Sequence, residues 1–261
     1  MLSINQAKFI NSLKLKKFRQ KYQSFIVEGE KNVSELIKSE IVTLKVFGVS
    51  EYLLRNQKLL EGGDFEIHEI TNEELRKISD LVTPNMVLAI AAIPTCQINE
   101  TYETGTILLA LDGIRDPGNM GTIIRTADWF GIRNILCSLD SVDVYNPKVI
   151  QSTMGSFSRT SLEYVDLNEF FSKLDKNIPV YGALLDGEDI TLKNFTRPGI
   201  ILIGSESHGV TDSVRNFINE PLLIPNYSVL SADNQAESLN ASVANGIICY
   251  EICKQLSKKY F

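Results

Sequence analysis

A chain of 261 residues with 44% hydrophobic content can bury a substantial core, as one large domain or two modest ones. A net charge of −6 argues against a general nucleic-acid binder. No stretch approaches the roughly 18 apolar residues of a membrane span, and the first residues lack the apolar segment of a signal peptide, so the chain reads as soluble and cytoplasmic.

In chain order, residues 1–27 come first, with Lys8, Lys14, Lys16, Lys17, Arg19 and Lys21 and no acid. Such a patch on an acidic protein suits RNA contact, and suits a solvated first helix equally well. Lys14, Lys16, Lys17, Arg19 and Lys21 are the candidate phosphate contacts. SFIVEG (24–29), LKVFGVS (44–50), FEIHEI (65–70) and MVLAIAAI (86–93) then read as strands. EKNVSELIKS, EYLLRNQKLL and TNEELRKISD lie between them as helices, the last opening on the capping pair Thr71 and Glu74. This pattern predicts a small α/β domain over residues 1–95.

The polar stretch PTCQINETYETG (94–105) carries no apolar period and reads as a linker, which sets the boundary at 96–105 and a second domain over 106–261. There the strands become continuous apolar runs, TILLALD, NILC, PVYGALL, GIILIG and PLLIP, as in a parallel sheet covered on both faces. A strongly apolar helix over 239–257 closes the chain. Cys96, Cys137, Cys249 and Cys253 make no disulfide framework. With His68 and His208 both distant in sequence, the Cys249/Cys253 pair reads as buried thiols, and no metal is expected.

Three stretches of the second half carry the chemistry. LDGIRDPGNMGTIIRTADWFG (111–131) is a strand, a turn and a helix whose buried stripe is Met120, Ile123, Ala127 and Phe130, with Gly131 as its stop. Neither the G-x-G-x-x-G nor the G-x-x-x-x-G-K-[ST] fingerprint is present. Arg125 falls off the stripe, either paired with a neighbouring acid or facing a ligand. ILIGSESHGV (201–210) ends a buried strand at Gly204 and sets Glu206 just beyond it, where open α/β sheets bind ligands. A glycine at 204 would let a ligand meet the backbone, so Gly204→Val is expected to block binding. In LLIPNYSVLSADNQAESLNASVANGIICYE (222–251), Ser238 and Asn240 stand where the last helix begins, and capping accounts for only one of them.

Taken in order, these stretches resemble the SpoU (TrmH) branch of the SPOUT RNA methyltransferases. Asn119, Gly121, Arg125 and Phe130-Gly131 match the first family motif, and Gly204, Glu206 and Gly209 match the second. Ile224, Pro225, Ser238, Leu239, Asn240 and Ser242 match the third, and YNPKVIQSTMGS is similar to a further family segment. The link NYSVLSADNQAE (226–237) departs from the family in being longer and free of glycine. The first half is similar to the ribosomal-protein-like α/β domain that many members carry for substrate RNA.

The resemblance implies a parallel-sheet catalytic domain with a deep trefoil knot, and S-adenosylmethionine, with no metal, near Leu184, Gly204, Ile224 and Leu239. It implies methylation of a ribose 2′-hydroxyl in RNA, ribosomal RNA ahead of transfer RNA, by a homodimer joined through the second domain. Arg125 would stabilise the developing alkoxide, since its high pKa makes it a poor base, with Asn119, Glu206, Ser238 and Asn240 positioning it and the ribose. A non-catalytic RNA-binding protein that keeps the fold is the alternative.

Overall fold

The structure, a computed structural model, describes residues 1–95, 105–228 and 238–260, the side chains of 257–260 excepted. The chain forms two compact units, one of residues 1–95 with 143–159 and the other of the rest of the described chain.

The first unit opens with α1 (Ile4–Ser12), where Ser3 and Gln6 form a capping box, and α2 (Lys16–Tyr22), which ends on Gln23 at a left-handed φ of 47°. Next come β1 (Ser24–Glu28), α3 (Glu30–Ile37), β2 (Thr43–Gly48), α4 (Ser50–Arg55), α5 (Gln57–Leu60), β3 (Glu66–Glu69), α6 (Asn72–Ile78) and β4 (Val87–Ala92). The single helix expected over 51–60 is divided at Asn56, whose Nδ2 donates to the Tyr52 carbonyl at 2.9 Å, a local bond that competes with helix continuation. The sheet order is β1-β4-β2-β3, with β4 antiparallel to β1 and β2 and β3 parallel to β2. β1 is buried along its whole length, and Phe25, Phe47, Tyr52, Leu88 and Ile90 fill the core.

In the second unit β5 (Leu108–Asp112) leads to α7 (Pro117–Trp129) and β6 (Asn134–Ser138). The stretch holding α8 (Pro147–Thr153) then belongs to the first unit, although the sequence places it inside the second domain. Polar and aromatic contacts hold it there. Arg19 pairs with Asp143, Asn32 Nδ2 donates to Gln151 Oε1 at 3.1 Å, and Phe25 meets Tyr145 with ring centres 4.7 Å apart. After it come β7 (Ser161–Val165), α9 (Leu167–Ser172), β8 (Val180–Asp189), β9 (Ile200–Gly204), α10 (Asp212–Arg215), β10 (Glu220–Leu223) and α11 (Ala241–Tyr260).

The second sheet is parallel throughout, in the order β10-β8-β9-β5-β6-β7. Its central strands β5 and β9 are continuous apolar runs, buried as such runs are when both faces are covered. Strand order builds outward from β5 through β6 to β7, then resumes on the other side of β5 with β8, β9 and β10. The reversal makes the carboxyl ends of β5 and β9 the place where an open α/β sheet leaves a crevice. The threading implied by the family resemblance turns on the link 226–237, of which residues 229–237 lie outside the described residues, as do Cys96 and the linker up to 104. Among the described residues no helix is long and apolar enough to cross a membrane.

Candidate functional site

α7 begins where the sequence puts an acid, a proline and a glycine together. Asp116 is the N-cap, its Oδ1 accepting from the Asn119 backbone N–H at 2.8 Å, and Pro117 occupies the first turn, where no N–H is needed. The helix buries Met120, Ile123, Ile124 and Ala127 and exposes Gly118, Thr122, Arg125 and Trp129. The preceding turn is held from below. Ser138 Oγ accepts from the Gly113 N–H at 2.8 Å, and Val142 N–H donates to the Ile114 carbonyl at 2.8 Å.

The Glu206 loop is closed on itself. Ser205 and Gly209 exchange backbone hydrogen bonds of 3.0 and 2.8 Å. A Cβ on Gly204 would lie 2.1 Å from the Gly209 carbonyl carbon, so the glycine makes room for the chain itself. The expectation that Gly204→Val blocks a ligand selectively is therefore withdrawn, because the loop itself would have to shift first. The buried Asp112 carboxylate, at the end of β5, accepts from the Thr211 N–H at 2.7 Å and pins the loop's exit.

α11 begins at Ala241, and Asn240 rather than Ser238 caps it. Asn240 Oδ1 accepts from the Ser242 N–H at 2.9 Å and from the Ser242 hydroxyl at 2.6 Å. Those donors turn the Asn240 amide group outward, where Nδ2 donates to Asn119 Oδ1 at 2.9 Å. Asn119 Nδ2 in turn donates to Glu206 Oε1. Three motifs distant in sequence thus meet in one chain of hydrogen bonds at the ends of β5 and β9. Each amide's orientation follows from its neighbours, from the helix N–H groups at one end to an acceptor carboxylate at the other. Glu206 Oε2 has no partner among the described residues and stays available to a donor.

Arg125 and Ser238 lie outside this chain. Arg125 is exposed and makes no hydrogen bond or ion pair among the described residues, so it is not the surface arginine tied to a neighbouring acid. Six residues along an α-helix turn its side chain roughly 240° from that of Asn119. Ser238 is exposed and makes no side-chain bond among the described residues.

Gly204 ends β9, Ile224 lies just beyond β10, Leu184 lies midway along β8, two residues past the last pair of β8 with β9 at Gly182, and Leu239 precedes α11. Leu184 sits where the pairing of β8 with β10 jumps from Gly182 to Glu188. Leu184 and Ile224 are half-buried and Leu239 is 46% exposed, so each leaves apolar surface open. Among the described residues no group of three His, Cys, Asp or Glu side chains could hold a metal.

The basic segment is less uniform than its sequence. Arg19 is 3% exposed, with Nη1 donating to the Leu13 and Lys14 carbonyls at 2.9 Å each and Nη2 donating to Asp143 Oδ2 at 2.5 Å. Its guanidinium is consumed within the protein, and Arg19 is withdrawn as a phosphate contact. Lys14 is half-buried and paired with Asp80 at 2.7 Å. Lys16, Lys17 and Lys21 are exposed. Sequence reasoning missed Asp112 and the clamp on the Gly113–Ile114 turn, and it placed Ser242 in the third motif without a role. The one visible signal was an acid closing the apolar run TILLALD.

Comparison with known proteins agrees with this architecture. The family model described as SpoU rRNA Methylase matches residues 106–250, and one described as MRM3-like substrate binding domain matches residues 5–89. The 23S rRNA (guanosine(2553)-2′-O)-methyltransferase RlmP of Bacillus subtilis is 28% identical over 242 residues, 92% of either chain. The solved structure of a putative RNA methyltransferase of the TrmH family from Porphyromonas gingivalis is 35% identical and superposes with a TM-score of 0.82, covering 97% of this chain and 98% of that one. AviRb from Streptomyces viridochromogenes in complex with AdoMet shares the fold at 22% identity, with a TM-score of 0.82 over 98% of this chain and 99% of that one. With more than half of its length matched, the chain belongs to the SpoU rRNA Methylase family.

Proposed function

We propose that the protein methylates a ribose 2′-hydroxyl of ribosomal RNA with S-adenosylmethionine as donor. The observation that carries this reading is the hydrogen-bond chain Asn240–Asn119–Glu206, which joins residues of all three motifs at the crevice of the sheet. The names of the relatives favour ribosomal over transfer RNA as substrate.

The chain's own surface fits the cofactor's chemistry. Leu184, Ile224 and Leu239 offer apolar side chains for a nucleobase, and the neighbourhood of Gly204 offers backbone. S-adenosylmethionine supplies a methyl group already activated by its sulfonium, so the protein's tasks are alignment and charge stabilisation. Glu206 Oε2, held in place through Asn119, accepts a hydrogen bond from the ribose. Arg125 stabilises the alkoxide as the hydroxyl proton departs. Asn240 fixes Asn119, and Ser238 borders the ribose.

Arg125 and Trp129 share the outward face of α7, and α11, packed on α7, exposes Val243, Ile247 and Tyr250. These apolar side chains support a homodimer through the second unit, in which the arginine of one subunit completes the site of the other. The reading places the protein in the cytoplasm.

The test is a methyl-transfer assay on total RNA with labelled S-adenosylmethionine, followed by nuclease digestion. Label on a 2′-O-methylnucleoside is the expected result. Label on a base, or none despite cofactor binding by calorimetry, would overturn it.

A further inference from the structure

The surface of α2 carries more than charge. Phe18 and Tyr22, one turn apart, are stacked, with ring centres 6.2 Å apart and planes within 11°. Phe9 of α1 braces Tyr22 edge-on at 5.1 Å. Tyr22 is nonetheless 41% exposed, and its hydroxyl has no partner among the described residues. Lys17 Nζ lies 5.0 Å from the Phe18 ring centre, and Lys21 Nζ lies 5.3 Å from that of Tyr22. Neither lysine has an acidic partner among the described residues, and the first acid of the chain is Glu28.

Two ammonium groups one turn apart on a helix repel each other, and here no carboxylate relieves them. A polyanion would. An aromatic ring braced from one side and open on another is what a flat base stacks on, and such stacking needs an unpaired base. A base on an aromatic face is worth more than an exposed ammonium there, so the incoming base displaces the lysine, which is then free to meet the adjoining phosphate.

We propose that Tyr22, backed by Phe18 and Phe9 and flanked by Lys17 and Lys21, is a stacking platform for an unpaired nucleotide of the substrate RNA. This rests on the RNA-methyltransferase reading, and it goes further by making the first unit select a single-stranded segment rather than a duplex.

Salt dependence separates stacking from charge. The full-length protein is titrated with a short fluorescein-labelled oligoadenylate, and with a blunt RNA duplex, at several salt concentrations. Tyr22→Ala should weaken oligoadenylate binding roughly 5- to 100-fold at every salt concentration and leave the log–log salt slope unchanged. Tyr22→Phe should bind as wild type does. Tyr22→Leu, which keeps an apolar side chain against Phe9 but has no flat ring, should lose binding as Tyr22→Ala does while folding normally. Lys17→Gln and Lys21→Gln should each flatten the slope by about 0.7. Unchanged affinity in folded Tyr22→Leu, or equal affinity for the duplex, overturns the platform alone. A wild-type protein that binds neither RNA overturns the reading beneath it.

Discussion

Asn119 has both ends of its amide committed, to Glu206 and to Asn240, so its orientation is decided by the network and not by its own rotamer preference. Arg125 is the opposite case, a guanidinium with no partner among the described residues. Arg125→Ala should therefore lower turnover by roughly 10²–10³ while cofactor affinity by calorimetry stays near wild type, the pattern left by loss of a transition-state charge partner. Arg125→Lys should fail as well, since a point charge does not copy the guanidinium fork. Near-normal turnover in either variant would return Arg125 to the surface. Arg19 is predicted to behave differently. Arg19→Ala leaves Asp143 half-buried without its cation, and should cost about 3–5 kcal/mol in a denaturation experiment.

Glu28 supplies a pH signature of unusual sign. Burial raises its carboxyl pKa above 4.5, against the opposing hydrogen bonds from Ser79 Oγ at 2.6 Å and the Asp80 N–H at 3.0 Å. A raised folded-state pKa means that the native state binds the proton more tightly than the unfolded chain does. The Glu28 contribution to stability therefore grows as pH falls through the folded pKa toward 4.5, whereas for most carboxylates it shrinks. Glu28→Gln should remove that acid-side gain, seen as a wild-type-minus-variant stability difference that becomes more favourable to wild type on acidification. A flat difference would contradict it.

At the scale of elements, α11 joins stability and chemistry through one residue. Asn240→Asp keeps an oxygen to cap the helix but has no N–H for Asn119 and adds a charge near Glu206. It should melt close to wild type and lose methyl transfer. Asn240→Ala should lose both, with about 1 kcal/mol of stability going with the cap. If Asn240→Asp transfers methyl normally, the hydrogen-bond chain is not catalytic. The Glu206 loop makes a related point. Because any Cβ on Gly204 collides with backbone at Gly209 and Val210, even Gly204→Ala should destabilise the loop instead of removing cofactor alone.

The elements most legible in the sequence were those whose side chains report a clear pattern. The apolar runs of β5 and β9 and the Asp116-Pro117 start of α7 stand where periodicity and capping chemistry put them. β7 escaped notice because it is half-exposed along its length and carries neither an apolar run nor a strict alternation. Residues 143–159 cluster with the first unit for a reason that no local pattern carries. Their home in the first unit depends on partners such as Arg19, Asn32 and Glu35, which lie over a hundred residues earlier, and no local pattern encodes a pairing at that distance. The same limit applies to the site. Motif spacing could nominate Asn119, Glu206 and Asn240, but it could not show that they touch, that Asn240 and not Ser238 is the cap, or that Arg19 is spoken for.

At the scale of the whole molecule, the exposed apolar side chains of α7 and α11 call for a cover. Trp129 is 84% exposed, and Val243, Ile247 and Tyr250 follow one another along α11 at 49%, 37% and 56%. Under the proposed homodimer these side chains are the ones that the partner covers. Val243→Glu combined with Ile247→Arg should convert a dimer into a folded monomer by light scattering, with methyl transfer lost because Arg125 no longer reaches a partner's site. A wild-type monomer at micromolar concentration would remove the dimer from the account.

The central claim is that a ribose of ribosomal RNA receives a methyl group through Arg125 and the Asn119–Glu206–Asn240 chain. The most direct measurement maps 2′-O-methyl groups in ribosomal RNA from a strain lacking the protein, complemented in turn with wild type, Arg125→Ala and Asn240→Asp. The account predicts that a ribose methyl is missing in the deletion strain, restored by wild type and by neither variant. An unaltered methylation map in the deletion strain, or restoration by Arg125→Ala, would contradict it.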